Sequence, residues 1–192
     1  MKPHLQLLRN QQIELLAAAQ AIELAAIALG GPAAPVAFVL RNFLARGGSG
    51  GAGQGYHASA AVGAALANRD RGIISVTFQP DGDMMYAPSV LWSAAHHKIP
   101  LLMVMHNNRC YHQEIMHVAR MAAQHNRPQH TARIGTEITN PDIDFGKLAQ
   151  SMGVWGEGPI TDPSKLAAAL QRAMKVVKSG LPALVDVVCQ GR

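Results

Sequence analysis

Four apolar runs stand out along the chain: Val36–Leu40, Ile73–Phe78, Leu101–Met105 and Ala183–Val188. Segments with helical character separate them. Ile73-Ile74-Ser75-Val76-Thr77-Phe78 is β-branched and mostly apolar, the pattern of a buried strand. Tyr86 to His97 follows with helix-compatible residues, and Pro88 is tolerated in a first turn. Pro100 then interrupts the chain, and Leu101-Leu102-Met103-Val104-Met105 reads as a second buried strand. Strand, helix and strand within about thirty residues make a βαβ unit, whose handedness sets the two strands parallel. A helix after Asp162-Pro163 and a strand at Ala183–Val188 close the chain in the same way. The alternation predicts an α/β architecture: a three-layer, doubly wound, mostly parallel sheet of five or six strands with helices on both faces. The 192 residues are expected to form one domain, 1–192, with a sizeable core.

Ahead of the first strand, Leu8, Leu15, Ile22 and Leu29 recur every seven residues, with Leu5, Ala19 and Ala26 near the same face. This predicts an amphipathic helix over about residues 5–29, ended by Gly30-Gly31-Pro32. Glu14, Gln20 and Glu23 interrupt it, and no unbroken apolar run reaches membrane length. The helix is therefore expected on the sheet, with no membrane partner. Residues 41–51 are short and glycine-rich. Ile115 to Ala123 reads helical, whereas Met121 to Ile143 shows no periodicity and reads as a long loop, a place where binding loops occur. Its neighbourhood carries His117, His125 and His130, but without metal-ligand spacing.

Composition narrows the function. Apolar residues make up 48% of the chain, which argues against overall disorder. Cys110 and Cys189 form no disulfide framework and no paired metal motif, so a reducing, cytoplasmic setting is expected. The net charge is +5 and the pI near 9.6. The basic residues are scattered and few aromatics lie among them, which argues against nucleic acid. A pocket for an anionic cofactor and substrate accounts for part of the charge.

The chemistry concentrates between Gln79 and Glu114. Pro80-Asp81-Gly82-Asp83 ends one apolar run, and His106-Asn107-Asn108 ends the next. Ligands of parallel sheets bind beyond the carboxyl ends of the strands. Asp81 and Asn108, 27 residues apart, both fall there. A helix beginning near Tyr86 would aim its N-terminus at the same place and favour an anion. Mg²⁺ takes about six oxygens and keeps phosphate oxygens and water among them. Gly82 allows close approach of the backbone to phosphates, and the N–H groups of Gly82, Asp83 and Met84 would meet them. The plainer alternative is a generic α/β turn with a surface acid and a turn-forming asparagine pair.

This spacing resembles the diphosphate-binding motif of thiamine-diphosphate enzymes: Gly-Asp-Gly, just under thirty residues, then Asn-Asn. Pro80 stands where the family has its first glycine, which fixes φ and removes a donor. Upstream, Gly50-Gly51-Ala52-Gly53-Gln54-Gly55-Tyr56, running into the small residues Ser59 to Ala65, resembles the glycine-rich loop and helix of the acetolactate synthase and benzoylformate decarboxylase group. The tail from Asp162 to Val187 resembles that domain's closing helix and strand.

The resemblance implies thiamine diphosphate and Mg²⁺ as cofactors. It implies a metal set of Asp81, Asn108 and the backbone carbonyl of Cys110. It implies cofactor contacts at Ala52, Gly53, Gln54, Gly82, Asp83, Met84, Asn108 and Tyr111. The Ala52 carbonyl would meet the 4′-amino group, and Gln54 would prop the cofactor's bent shape. Ser49 would substitute for groups on a connection that is longer in the family. Related decarboxylases place a working glutamate at the position of Glu114; a first-turn helix residue is the alternative reading. His112 divides likewise between catalysis and loop solvation.

The implied activity is that of a 2-oxo acid decarboxylase or an acetolactate synthase-like carbon–carbon lyase or synthase. The family's activating glutamate lies in a separate pyrimidine-binding domain, and the sequence shows no place for one. The chain is therefore expected to act in an oligomer or with a pyrimidine-binding subunit. Two other readings stand beside this one: a non-catalytic cofactor-binding or regulatory module, and a flavin- or nucleotide-binding α/β domain that mimics the motif.

Overall fold

Leu101, Met103 and Met105 face one side of a central strand, and Leu102 and Val104 face the other. This period-two alternation divides the core into two layers around one sheet. In the computed structural model, residues 36–38 and 55–189 are described. The expected helix over residues 5–29 lies outside the described residues, as do Ser49, Ala52, Gly53 and Gln54.

The strands are β1 (Val36–Phe38), β2 (Ile74–Pro80), β3 (Leu101–Asn107), β4 (Trp155–Ile160) and β5 (Ala183–Val188). They form one sheet in the order β1-β2-β3-β5-β4, and every pairing is parallel. The expected strands are all present, β1 over its first three residues. β4 is the addition, and it borders the sheet next to β5.

The helices are α1 (Tyr56–Asn68), α2 (Asp81–Tyr86), α3 (Val90–His96), α4 (His112–Gln124), α5 (Phe145–Ser151) and α6 (Pro163–Lys178). Residues of α1, α3 and α5 pack on one face, with Ala58, Ala61, Leu91, Ala94, Phe145 and Ala149 against Leu101, Met103, Met105 and Leu184. α6 covers the other face, with Ala169, Leu170, Ala173, Met174 and Val177 against Val76, Leu102, Val104 and Val185. The three-layer α/β architecture is thus as expected. Each fully buried Leu or Met contributes about 1.5–3 kcal/mol by leaving water.

Local chemistry sets the element ends. Asp162 caps α6, its carboxylate accepting from Ser164 N–H at 3.0 Å, with Pro163 in the first turn and Lys175 and Lys178 in the last. Asp144 caps α5 by accepting from Lys147 N–H at 2.8 Å. α5 lies very close to β4, where a side chain on Gly156 would overlap the Gly146 carbonyl.

Three expectations are corrected. The helix expected over Tyr86–His97 is shorter, α3 at Val90–His96, and a separate helix, α2, precedes it and ends at Tyr86, with Ala87, at φ −142° and ψ 49°, and Pro88 between them. The helix whose N-terminus adjoins the end of β2 is therefore α2, beginning at Asp81. The loop expected over 121–143 opens as helix, since α4 runs to Gln124, and it holds a 3₁₀ turn at His130–Arg133 and a bridge between Cys110 and Glu137.

Candidate functional site

β2 ends at Pro80 with φ −65° and ψ 143°. Its ring sets that φ without strain, and Pro80 stays in register with His106 on β3. The proline in place of a glycine is therefore compatible with the strand end. Asp81 follows directly as the first residue of α2.

Asp81 is only 2% exposed. Its Oδ1 accepts from Gly82 N–H at 2.9 Å, while Oδ2 is buried without a hydrogen-bond partner. Burial pushes the carboxyl above its ordinary range; the backbone amides of Gly82, Arg109 and Cys110 and the His106 ring partly offset that. An orphaned, buried carboxylate oxygen is costly unless a cation or donor completes it.

The loop after β3 approaches the same point. Asn108 Oδ1 accepts from Cys110 N–H at 3.1 Å and from its Sγ at 3.4 Å. The Cys110 amide thus donates to Asn108 and lies near enough to Asp81 to act on its carboxyl. Arg109 between them has φ 59°, and its guanidinium pairs with Asp142 at 2.7 Å. The segment after the 3₁₀ turn straps the loop: Tyr111 N–H donates to the Thr136 carbonyl at 2.8 Å, and Ile138 N–H to the Arg109 carbonyl at 2.7 Å. Neither bond uses the Cys110 carbonyl. Burial, with Asp81 nearby, raises the Cys110 thiol, which favours the neutral form.

One residue earlier, buried Asn107 donates from Nδ2 to Asp186 Oδ1 at 3.0 Å. Asp186 Oδ2 accepts from Phe145 N–H at 3.1 Å. This carboxylate ties the end of β3 to β5 and to the start of α5. The tie went unseen in the sequence because its partners are far apart along the chain.

The other expected contacts separate by burial. Gly82 lies beneath the Tyr111 ring. The Tyr111 ring also meets Tyr86 edge-on, with centroids 6.0 Å apart. The Gly82 N–H already donates to Asp81. The Met84 side chain is buried in the core, so only its backbone can serve a ligand. The Asp83 side chain has a role that sequence reasoning missed. Its Oδ1 accepts from Gly55 N–H at 2.7 Å, and its Oδ2 from His57 N–H at 3.1 Å. His57, whose Nε2 is buried without a partner, is held below its ordinary pKa by burial, against the pull of Asp83. His112 and Glu114 lie in the first turn of α4, His112 half-buried and Glu114 exposed.

Among the described residues no group of three or more His, Cys, Asp or Glu side chains could hold a metal. The described residues therefore hold no zinc-type cluster. One carboxylate with amide and backbone oxygens fits a hard cation that draws its remaining ligands from phosphate and water. Among the described residues no helix is long and apolar enough to cross a membrane.

Residues 35–187 match the family described as thiamine pyrophosphate enzyme, C-terminal TPP binding domain. A Mycobacterium tuberculosis protein named as an acetolactate synthase large subunit, IlvX, is 36% identical over 134 residues, which is 70% of this chain and 25% of that protein. The thiamine diphosphate-dependent 4-hydroxybenzoylformate decarboxylase of Rhodococcus jostii RHA1 superposes with a TM-score of 0.59 at 26% identity, over 89% of this chain and 32% of its own. Benzoylformate decarboxylase from Polynucleobacter necessarius shares the fold, with a TM-score of 0.56 at 21% identity over 73% of this chain and 24% of its own. The chain thus spans about a quarter to a third of these relatives. It belongs to the C-terminal TPP-binding domain family of thiamine pyrophosphate enzymes.

Proposed function

We propose that this chain is the diphosphate-binding component of a thiamine-diphosphate- and Mg²⁺-dependent 2-oxo acid decarboxylase or acetolactate synthase-like enzyme. The observation that carries the reading is the buried, unpartnered Oδ2 of Asp81 at the carboxyl end of a parallel sheet, beside the Asn108–Cys110 turn. The Asp81 carboxylate, the Asn108 amide oxygen and the Cys110 backbone carbonyl would hold the cation. The first turn of α2, at Gly82, Asp83 and Met84, would face the diphosphate. Two of the similar proteins are named for decarboxylation of benzoylformate-type 2-oxo acids and one for acetolactate synthesis, which favours a 2-oxo acid substrate.

When bound, thiamine diphosphate supplies the nucleophilic carbon for attack on the 2-oxo acid. The chain's own residues bind and orient. Asp81 offsets diphosphate charge through the cation. Tyr111 closes over Gly82 and keeps the turn in place. His112 and Glu114, directly after the metal turn, are the candidates for moving a proton at the substrate. Glu114 is exposed, so that role requires a second domain to cover it.

The described residues hold one parallel sheet, and the chain spans only part of its relatives. We therefore assign the pyrimidine-binding half to a separate domain, in the same protein or in a partner, with the two halves meeting in an oligomer. A cytoplasmic setting fits the cysteine usage. Calorimetric titration of thiamine diphosphate into the full chain, with Mg²⁺ and with chelator, tests the reading. Binding should need Mg²⁺ and vanish in Asp81→Ala. Equal affinity in the variant would overturn the metal assignment.

A further inference from the structure

Asn107 and Asp186 each end an apolar row on neighbouring strands. On β3, Leu101, Met103 and Met105 precede Asn107 at period two; on β5, Leu184 precedes Asp186. Both polar residues are buried, at 2% and 0% exposure. A carboxylate beside apolar side chains is costly, and two well-packed apolar residues would hold the strands together at less cost. What the polar pair adds is direction. Asn107 Nδ2 donates to Asp186 Oδ1 at 3.0 Å, and Phe145 N–H donates to Oδ2 at 3.1 Å. The Asn107 carbonyl accepts from Cys189 N–H at 2.8 Å. β5 and the residue after it therefore clamp Asn107 by both its side chain and its main chain. The β4 backbone lies directly against Asp186, since a Cβ on Gly158 would come within 2.6 Å of the Asp186 carbonyl oxygen.

Asn107 is the last residue of β3, and Asn108 follows it. The turn that carries the expected ligand oxygens therefore leaves the sheet from the clamped residue. We propose that Asp186 is a positioning residue for the cation. Through Asn107 it fixes the direction in which the Asn108–Cys110 turn departs, and so where the Asn108 amide oxygen and the Cys110 carbonyl stand relative to Asp81. The clamp stands on geometry alone; its effect on a cation rests on the thiamine-diphosphate reading above.

Mg²⁺ demands near-ideal octahedral geometry, whereas Ca²⁺ accepts irregular ligand sets at longer distances. A displaced turn should therefore cost Mg²⁺ more than Ca²⁺. The test is calorimetric titration of thiamine diphosphate into the full chain with each cation in turn, well below the unfolding temperature. Asp186→Asn sets a donor against Asn107 Nδ2. Mg²⁺-supported affinity should fall about tenfold, and Ca²⁺-supported affinity about threefold or less. Adding Asn107→Asp reverses the bond and leaves Phe145 N–H its acceptor. The double variant should recover the native Mg²⁺-to-Ca²⁺ preference within about twofold. If Asp186→Asn does not fold, Asn107→Ser, which removes the amide and leaves Asp186 bonded to Phe145, should show the same loss of preference. Lower unfolding midpoints with both affinities unchanged would make the tie merely structural and overturn the proposal. Equal losses for the two cations would overturn it too, as would a double variant that recovers nothing. An unaltered chain that binds the cofactor with neither cation would refute the cofactor reading, and the cation role of Asp186 with it.

Discussion

The Tyr111 ring fills the space that a side chain on Gly82 would need: a Cβ there would lie 2.6 Å from Cδ1 and 2.8 Å from Cε1. Glycine at this position is thus demanded by a neighbour on the opposing loop. The same contact keeps the turns after β2 and β3 together. Gly82→Ala should push the ring aside, disturb its edge contact with Tyr86 and cost about 1–3 kcal/mol by overpacking. In a Tyr111→Ala background the same change should cost less than about 0.5 kcal/mol. Denaturant unfolding of the four proteins of this cycle gives the coupling. Additive costs would mean that the ring does not constrain the glycine.

Arg109 holds a left-handed backbone, φ 59°, between the two expected metal ligands. Its ion pair with Asp142 is half-exposed on both sides, so it contributes about 0–1 kcal/mol. The backbone cost of a non-glycine residue there is about 1–2 kcal/mol. Arg109→Ala should therefore lose the pair and keep the strain. Arg109→Gly loses the same pair and relieves the strain. Glycine should be the more stable variant by about 1 kcal/mol, read from unfolding midpoints at constant slope. A less stable glycine variant would show that the turn needs stiffness more than it suffers strain.

What the sequence made legible depends on how far each signal reaches along the chain. β2, β3 and β5 were visible because apolar, β-branched runs are local. β4 was not: Trp155-Gly156-Glu157-Gly158-Pro159-Ile160 has two glycines, a proline and a glutamate, and no apolar run. Its place at the sheet edge tolerates that composition. Asp81-Gly82-Asp83 has turn chemistry in the sequence, yet it forms the start of α2, with Asp81 to Met84 all buried. Asp81 and Asn108 were found because spacing and strand ends are sequence properties. The Asp83 tether to Gly55 and the Asp186 tie to Asn107, 79 residues away, were not, since only the fold brings those donors to those carboxylates.

Asp186 offers a pH-dependent prediction. Burial holds its carboxyl above the ordinary range, despite donors from Asn107 and Phe145 and with Asp144 and Asp81 adding to the rise. The folded state therefore binds the proton more tightly than the unfolded chain. Its contribution to stability is fullest below the unfolded carboxylate value and declines as pH rises through the raised folded value. Asp186→Asn removes that decline and turns one acceptor into a donor, costing about 1–3 kcal/mol. The gap between native chain and variant should be widest in acid, narrow as pH rises through that window, and level off above it. A gap that widens with pH would reverse the assignment.

The final prediction concerns turnover. The diphosphate end of the cofactor has an anchor in Asp81, Asn108 and the Cys110 carbonyl, as proposed. Glu114, the glutamate expected to act, lies exposed on the first turn of α4, directly after the Asn108–Cys110 turn. A residue there cannot also press on the far side of the cofactor's ring. A cofactor fastened at one end keeps much of its freedom at the other, and the orientation advantage of a held ligand is lost. This chain should therefore bind thiamine diphosphate weakly and turn over no 2-oxo acid unaided. A pyrimidine-binding domain should raise affinity and activity together, because both depend on the same interface. Glu114→Gln should then slow turnover in the reconstituted enzyme while leaving cofactor affinity within about twofold, the split expected of a group acting only in the chemical step. The measurement is decarboxylation of a panel of 2-oxo acids with Mg²⁺ and cofactor, with and without the second domain. Sustained turnover by this chain alone, well above the cofactor-only control, would refute the half-site reading.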